Sequence, residues 1–352
     1  MSARKTKKPR TQESSTFLVR HRKLFIWAGG ILTTILILIL AVFIAFRISP
    51  WPNSLLIRYE FNKNSAKVSA ALQKYVPGDI TQVENQQYRQ GDDDAYLDIF
   101  YPAQTDKPRP TIVWVHGGGW VSGDKDDVDN YMKILAGRGF TTISVNYSIA
   151  PEKQYPTPII QLNDALEYVQ HNTARLNIDD SHLVLAGDSA GSQIVAQEAN
   201  IITSPAYANE IGISPKLSPA KLKGLLLNCG AYDLASPDYN GPFGSFLHTV
   251  LWAYSGTKDF LHDPKLKTAS VVNYLTPQFP PSFTTAGNVD PLLSQSTELA
   301  KKLQTLGVTT STLFYPADHQ PALNHEYQFD LDTTDAKNAF EQMVDFAHQR
   351  MQ

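Results

Sequence analysis

A single cysteine, Cys229, stands among 352 residues, which excludes an intrachain disulfide. It closes the apolar run Gly224-Leu225-Leu226-Leu227-Asn228-Cys229 and reads as a small core residue with an inert thiol. Charge of one sign is also missing. With 31 basic against 34 acidic residues and a net charge of −3, nothing points to nucleic acid as a partner. A hydrophobic share of 42% against 18% charged excludes an extended disordered chain, and no internal repeat is visible. One absence is local. Residues 24–46 contain no charge at all. As a helix this stretch would run about 34 Å, enough for a hydrocarbon core of about 30 Å.

The residues in front of it carry Arg4, Lys5, Lys7, Lys8, Arg10, Arg20, Arg22 and Lys23 against a single Glu13. Lys and Arg beside a span resist translocation. The expected order is therefore a basic cytoplasmic tail (1–23), an uncleaved transmembrane anchor (24–46) and the rest of the chain outside the cytoplasm. A cleavable signal peptide is the competing reading. It needs a shorter apolar region that ends in small residues, and Ile44-Ala45-Phe46-Arg47 makes a poor cleavage site.

Residues 47–90 show no strong period and read as a juxtamembrane segment, with a helix around Ser65–Lys74. From residue 91 to 352 the pattern is that of one α/β domain. Short β-rich runs at 97–101, 111–115, 141–145, 183–186, 224–228, 283–286 and 312–315 alternate with amphipathic stretches. Leu162, Ala165, Leu166 and Val169 share one helical face, as do Leu299, Leu303 and Leu306. Such alternation implies a mostly parallel sheet flanked by helices. Residues 232–281 break the rhythm and read as a lid insertion. Its aromatics Tyr232, Phe243, Phe246, Trp252 and Tyr254 either line an apolar substrate site or pack the lid.

The sequence Gly187-Asp188-Ser189-Ala190-Gly191 falls between the run 183–186 and a helical pattern at Ile194–Ala199. A G-x-S-x-G at a strand-to-helix turn presents a serine hydroxyl beyond the sheet edge, because only glycine tolerates the close backbone approach. Ser189 is the expected nucleophile. After the run 111–115 comes His116-Gly117-Gly118-Gly119-Trp120, whose unshielded N–H groups suit an oxyanion. Gly117 and Gly118, with Ala190, are the expected donors, and His116 organises the loop.

These two motifs resemble the hormone-sensitive-lipase-like carboxylesterase branch of the α/β-hydrolases. So do Gly123-Asp124, Asn146-Tyr147-Ser148-Ile149-Ala150-Pro151-Glu152, Tyr155-Pro156 and Asp290-Pro291-Leu292. The likeness covers about residues 95–350. It implies an eight-stranded, mostly parallel sheet and ester hydrolysis without metal or other cofactor. The substrate implied is a small-molecule ester, short-chain acyl by the family's preference.

In this fold the chain order is serine, acid, histidine. Asp290, just beyond the strand at 283–286, fits the acid; Asp263, inside the lid, fits it less well, and an N-cap is the alternative role for Asp290. Two histidines follow the last strand, His319 and His325. The family shows His-Gly-Phe here, and this chain departs from it with His325-Glu326-Tyr327. His325 has the aromatic two residues on and stands nearer the final helix (near Thr334–Gln349), so it is favoured as base with His319 as the alternative. His171, His182, His248 and His262 read as surface or lid residues. Rival readings are an acyltransferase using the same site on a cell-envelope alcohol, a peptidase, and a binding protein on a hydrolase fold.

Overall fold

Seven apolar runs expected as strands, and one polar run that was not, form a single sheet. Its strands are β1 (Ile80–Gln87), β2 (Tyr96–Pro102), β3 (Arg109–Val115), β4 (Thr141–Val145), β5 (Ile178–Asp188), β6 (Leu222–Asn228), β7 (Ser282–Ala286) and β8 (Thr310–Phe314). The spatial order is β1-β2-β4-β3-β5-β6-β7-β8. β2 runs antiparallel to both β1 and β4, and the pairs from β4 through β8 are parallel. This structure, a computed structural model, describes residues 12–104, 107–235, 239, 241 and 243–352.

Alternation along the central strands divides the core in two. Val113, Val115, Leu183, Leu185, Leu225 and Leu227 point to one face, where they meet Leu162, Ala165, Leu166 and Val169 of helix Thr157–His171. Ile194 and Ala199 of helix Ser189–Thr203, and Leu299 and Leu303 of helix Leu293–Thr305, join that face. Ile112, Trp114, Val184, Ala186 and Leu226 point to the other, covered by helices Asp129–Ala136 and Thr334–Arg350. A parallel sheet must be covered on both faces, so its strands read as continuous apolar runs. Each fully buried Val or Leu contributes about 1.5–3 kcal/mol.

The chain divides into two compact units, Met1–Pro52 and Asn53–Gln352. In the first, helix Gln12–Ile48 contains the stretch Arg20–Ile48, 29 residues long and apolar enough to cross a membrane; a signal sequence passes the same test. None of this stretch is buried, which separates it from a core helix. Of the basic tail expected over 1–23, residues 1–11 lie outside the described residues.

The second unit begins at Asn53, so residues 53–90 belong to the compact body and not to a separate juxtamembrane stretch. The helix expected around Ser65–Lys74 is longer and starts earlier, at Trp51–Leu72 with a further turn at Gln73–Tyr75. Its inward face, with Ser54, Ile57, Arg58, Phe61, Ser65, Val68 and Leu72, keeps helical spacing, but its members are small, charged and apolar by turns. That mixture hides the period from a hydrophobicity reading. Arg58 ties the helix down: its guanidinium grips both Glu152 oxygens at 2.7 and 2.8 Å and donates to Val121 O and Ala150 O.

Candidate active site

β5 ends at Asp188 and the next helix starts at Ser189, whose φ is +48°. Such left-handed backbone costs a non-glycine residue about 1–3 kcal/mol and persists only where its surroundings impose it. Here the two flanking glycines impose it. A Cβ on Gly191 would lie 2.0 Å from Val115 O, and one on Gly187 would lie 2.6 Å from Gly191 C. Ser192 Oγ, donating to Gly187 O at 2.6 Å, fastens the turn from inside.

His325 Nε2 lies 2.9 Å from Ser189 Oγ, and His325 Nδ1 lies 2.9 Å from Asp290 Oδ2. The other Asp290 oxygen accepts the Leu292 N–H at 2.7 Å, so this carboxylate caps a turn and holds the imidazole at once. Burial opposes the charged imidazole while Cys229 and Asp290 favour it, and the net direction for His325 is upward. Burial pushes the Cys229 thiol up to about 11. Cys229 is buried, and its Sγ lies within 4.8 Å of the Asp290 and His325 donor atoms. His319 stands apart, with Nε2 3.0 Å from Asp335 Oδ2 and its ring against Tyr315. Asp263 caps the short helix Pro264–Lys267.

The glycine loop is clamped from below. Tyr147 OH donates to His116 O and Gly117 O at 3.1 Å, and its ring stacks on His116 at 4.3 Å. His116 Nδ1 lies 2.9 Å from Gly117 O, and burial keeps this imidazole neutral by lowering its pKa. Gly117 lines the cavity beside the Asp188 carboxylate: a Cβ on it would lie 2.3 Å from Asp188 Oδ2. Gly118 and Gly119, at φ +104° and +60°, line the cavity with Ser189, and neither N–H has an acceptor among the described residues. The N–H of Ala190, in the first turn of its helix, has no intrahelical partner.

One cavity of about 820 Å³ contains Ser189, His325, the glycine loop and Ala190. Of the five lid aromatics, Phe243 and Phe246 line it; Tyr232 and Tyr254 are buried in the core, and Trp252 packs against its edge. Lid positions 236–238, 240 and 242 lie outside the described residues. Phe61, from helix Trp51–Leu72, packs on Phe246 at 5.5 Å and completes an aromatic wall of the cavity. His171, His248 and His262 are exposed, and His182 bonds Asp179. For metal-binding chemistry, Asp98, Asp126 and Asp129 cluster, but the Lys125 ammonium occupies that cluster, 2.8 Å from Asp98.

The BD-FAE family profile matches residues 97–303, more than half of the chain. An alpha/beta hydrolase of Acanthamoeba polyphaga mimivirus is 28% identical over 211 residues, 58% of this chain and 58% of that relative. An esterase of Gibberella moniliformis is 28% identical over 219 residues, 60% of this chain and 66% of the relative. The chain therefore spans less than two thirds of either relative's length. Esterase B from Lactobacillus rhamnosis superposes with a TM-score of 0.70 at 24% identity, over 85% of this chain and 97% of that one. The shared fold is that of the α/β-hydrolases, with the eight-stranded sheet described above.

Proposed function

This chain belongs to the BD-FAE family, within the hormone-sensitive-lipase-like branch of the α/β-hydrolases, and we propose that it is a serine carboxylesterase. Asp290 orients His325, and His325 takes the Ser189 proton as the oxygen attacks the ester carbonyl. The N–H groups of the glycine loop at Gly117, Gly118 and Gly119, with that of Ala190, receive the negative charge of the tetrahedral intermediate. His325 passes the proton to the departing alcohol, then activates water to release the acid. The esterase relative points to esters as substrates. The wall of Phe61, Phe243 and Phe246 suits an apolar acyl or alcohol group, with short acyl chains the first class to test.

A single observation supports this reading above the others: the relay from Asp290 through His325 to Ser189, with 2.9 Å at each step, opens into the cavity. Ser189→Ala should lower kcat/KM for p-nitrophenyl butyrate by at least about 10³ while the circular dichroism spectrum is kept. Turnover equal to wild type would remove the proposal. In the cell, helix Arg20–Ile48 is proposed to hold the domain to the membrane with the N-terminus cytoplasmic.

A further inference from the structure

We propose that Glu326 is a positioning residue for the same reaction, a second carboxylate that steadies the imidazolium of His325 from its Nε2 side. This rests on the esterase reading above. Glu326 occupies the place where the family pattern has glycine, and it takes the left-handed backbone, φ +60°, that glycine would adopt freely. A charged side chain forced into that conformation calls for a reason, and its surroundings supply one. Glu326 Oε1 lies 3.9 Å from His325 Nε2, the atom that exchanges the proton with Ser189 Oγ. It would also lie 3.0 Å from a Cβ on Gly117, and it lines the cavity that contains Ser189.

The Glu326 carboxyl lies beside that of Asp188: a Cβ on Gly117 would meet Asp188 Oδ2 at 2.3 Å and Glu326 Oε1 at 3.0 Å. Like charges this close disfavour ionising both. Asp188 is buried, with Trp114 Nε1 donating to its Oδ1 at 2.7 Å, and burial with the neighbouring Glu326 pushes it well above the usual carboxylate range. Asp188 is the buried member of the pair, whereas the Glu326 side chain is 34% exposed. Other titratable groups around the pair do not replace it. Asp290 serves Nδ1, burial pushes Cys229 and Tyr147 up, and Asp127 is pushed up to about 6, mainly by burial.

When Nε2 takes the serine proton, a positive imidazolium therefore forms between two carboxylates, one at each nitrogen. Removing the Glu326 charge should destabilise that cation both in the transition state and in the resting enzyme. The two effects have a joint signature in the pH profile of kcat/KM. For the full-length protein in detergent with p-nitrophenyl butyrate, Glu326→Gln and Glu326→Gly should lower the plateau by about tenfold. Both should also move the acid limb to lower pH, by up to about one unit, because the base stays neutral further down. Glu326→Asp should restore part of each, and 0.5 M NaCl should narrow the gap between wild type and variants, since the site reaches solvent. Glu326→Gly relieves the strained backbone, so loss of fold does not stand in for loss of charge. A lower plateau with an unmoved limb, or no change in either, overturns the proposal. An inactive wild type would instead overturn the esterase reading on which it rests.

Discussion

Ser189 and His325 were legible in the chain because each carries its context with it. The serine has an apolar strand before it and a helix after it, and the histidine has a strand behind and a helix ahead. What separates His325 from His319 is distance, which no spacing rule encodes. His325→Ala should lower kcat/KM for a short-chain ester by at least about 10³, whereas His319→Ala, which loses an Asp335 contact at the surface, should stay within about threefold. Equal losses in the two variants would sink the assignment. A run of three glycines announces exposed N–H groups, and Gly117, Gly118 and Gly119 all line the cavity, but which N–H faces it depends on backbone φ, which no spacing encodes. Glu326 was visible as a departure from the family pattern, and its partner was not, since nothing in the sequence places Asp188 beside it.

Elements differ in how clearly they are written. β3, β5 and β6 are buried on both faces and spell continuous apolar runs. β1, Ile-Thr-Gln-Val-Glu-Asn-Gln-Gln, lies at the sheet edge, pairs only with β2, and has no residue fully buried. Its polar sequence suits an edge and carries no strand period to read. Helix Ser189–Thr203 holds a further cost that only the structure reveals. Both Glu198 oxygens are buried without a hydrogen-bond partner among the described residues, and burial pushes this carboxyl from 4.5 up to about 8. The folded protein thus keeps a proton that the unfolded chain releases. Stability from this group is intact below about 4.5 and is lost as pH rises through about 8, in total on the order of 5 kcal/mol. Thermal unfolding of wild type should show Tm falling between pH 5 and pH 8.5, and Glu198→Gln should flatten that slope. An unchanged slope in the variant would place the pH dependence elsewhere.

At the scale of the molecule, two units of opposite character share one chain: an apolar helix with exposed side chains, and a body whose sheet is covered on both faces. If the helix is an uncleaved anchor, the mature protein should keep residues 24–46, and protease added to intact cells should remove its catalytic part. A mature chain that starts near residue 50 would mean a cleaved signal instead. The position of helix Trp51–Leu72 also decides how a soluble fragment should be designed. Trimming to residue 91, where the sequence pattern first looks regular, would discard an edge strand, the Arg58–Glu152 clasp and the Phe61 side of the cavity. Trimming to Asn53 keeps all three. The first fragment would hold the reacting groups in an open trough, and the second would hold them in a room with its wall still standing.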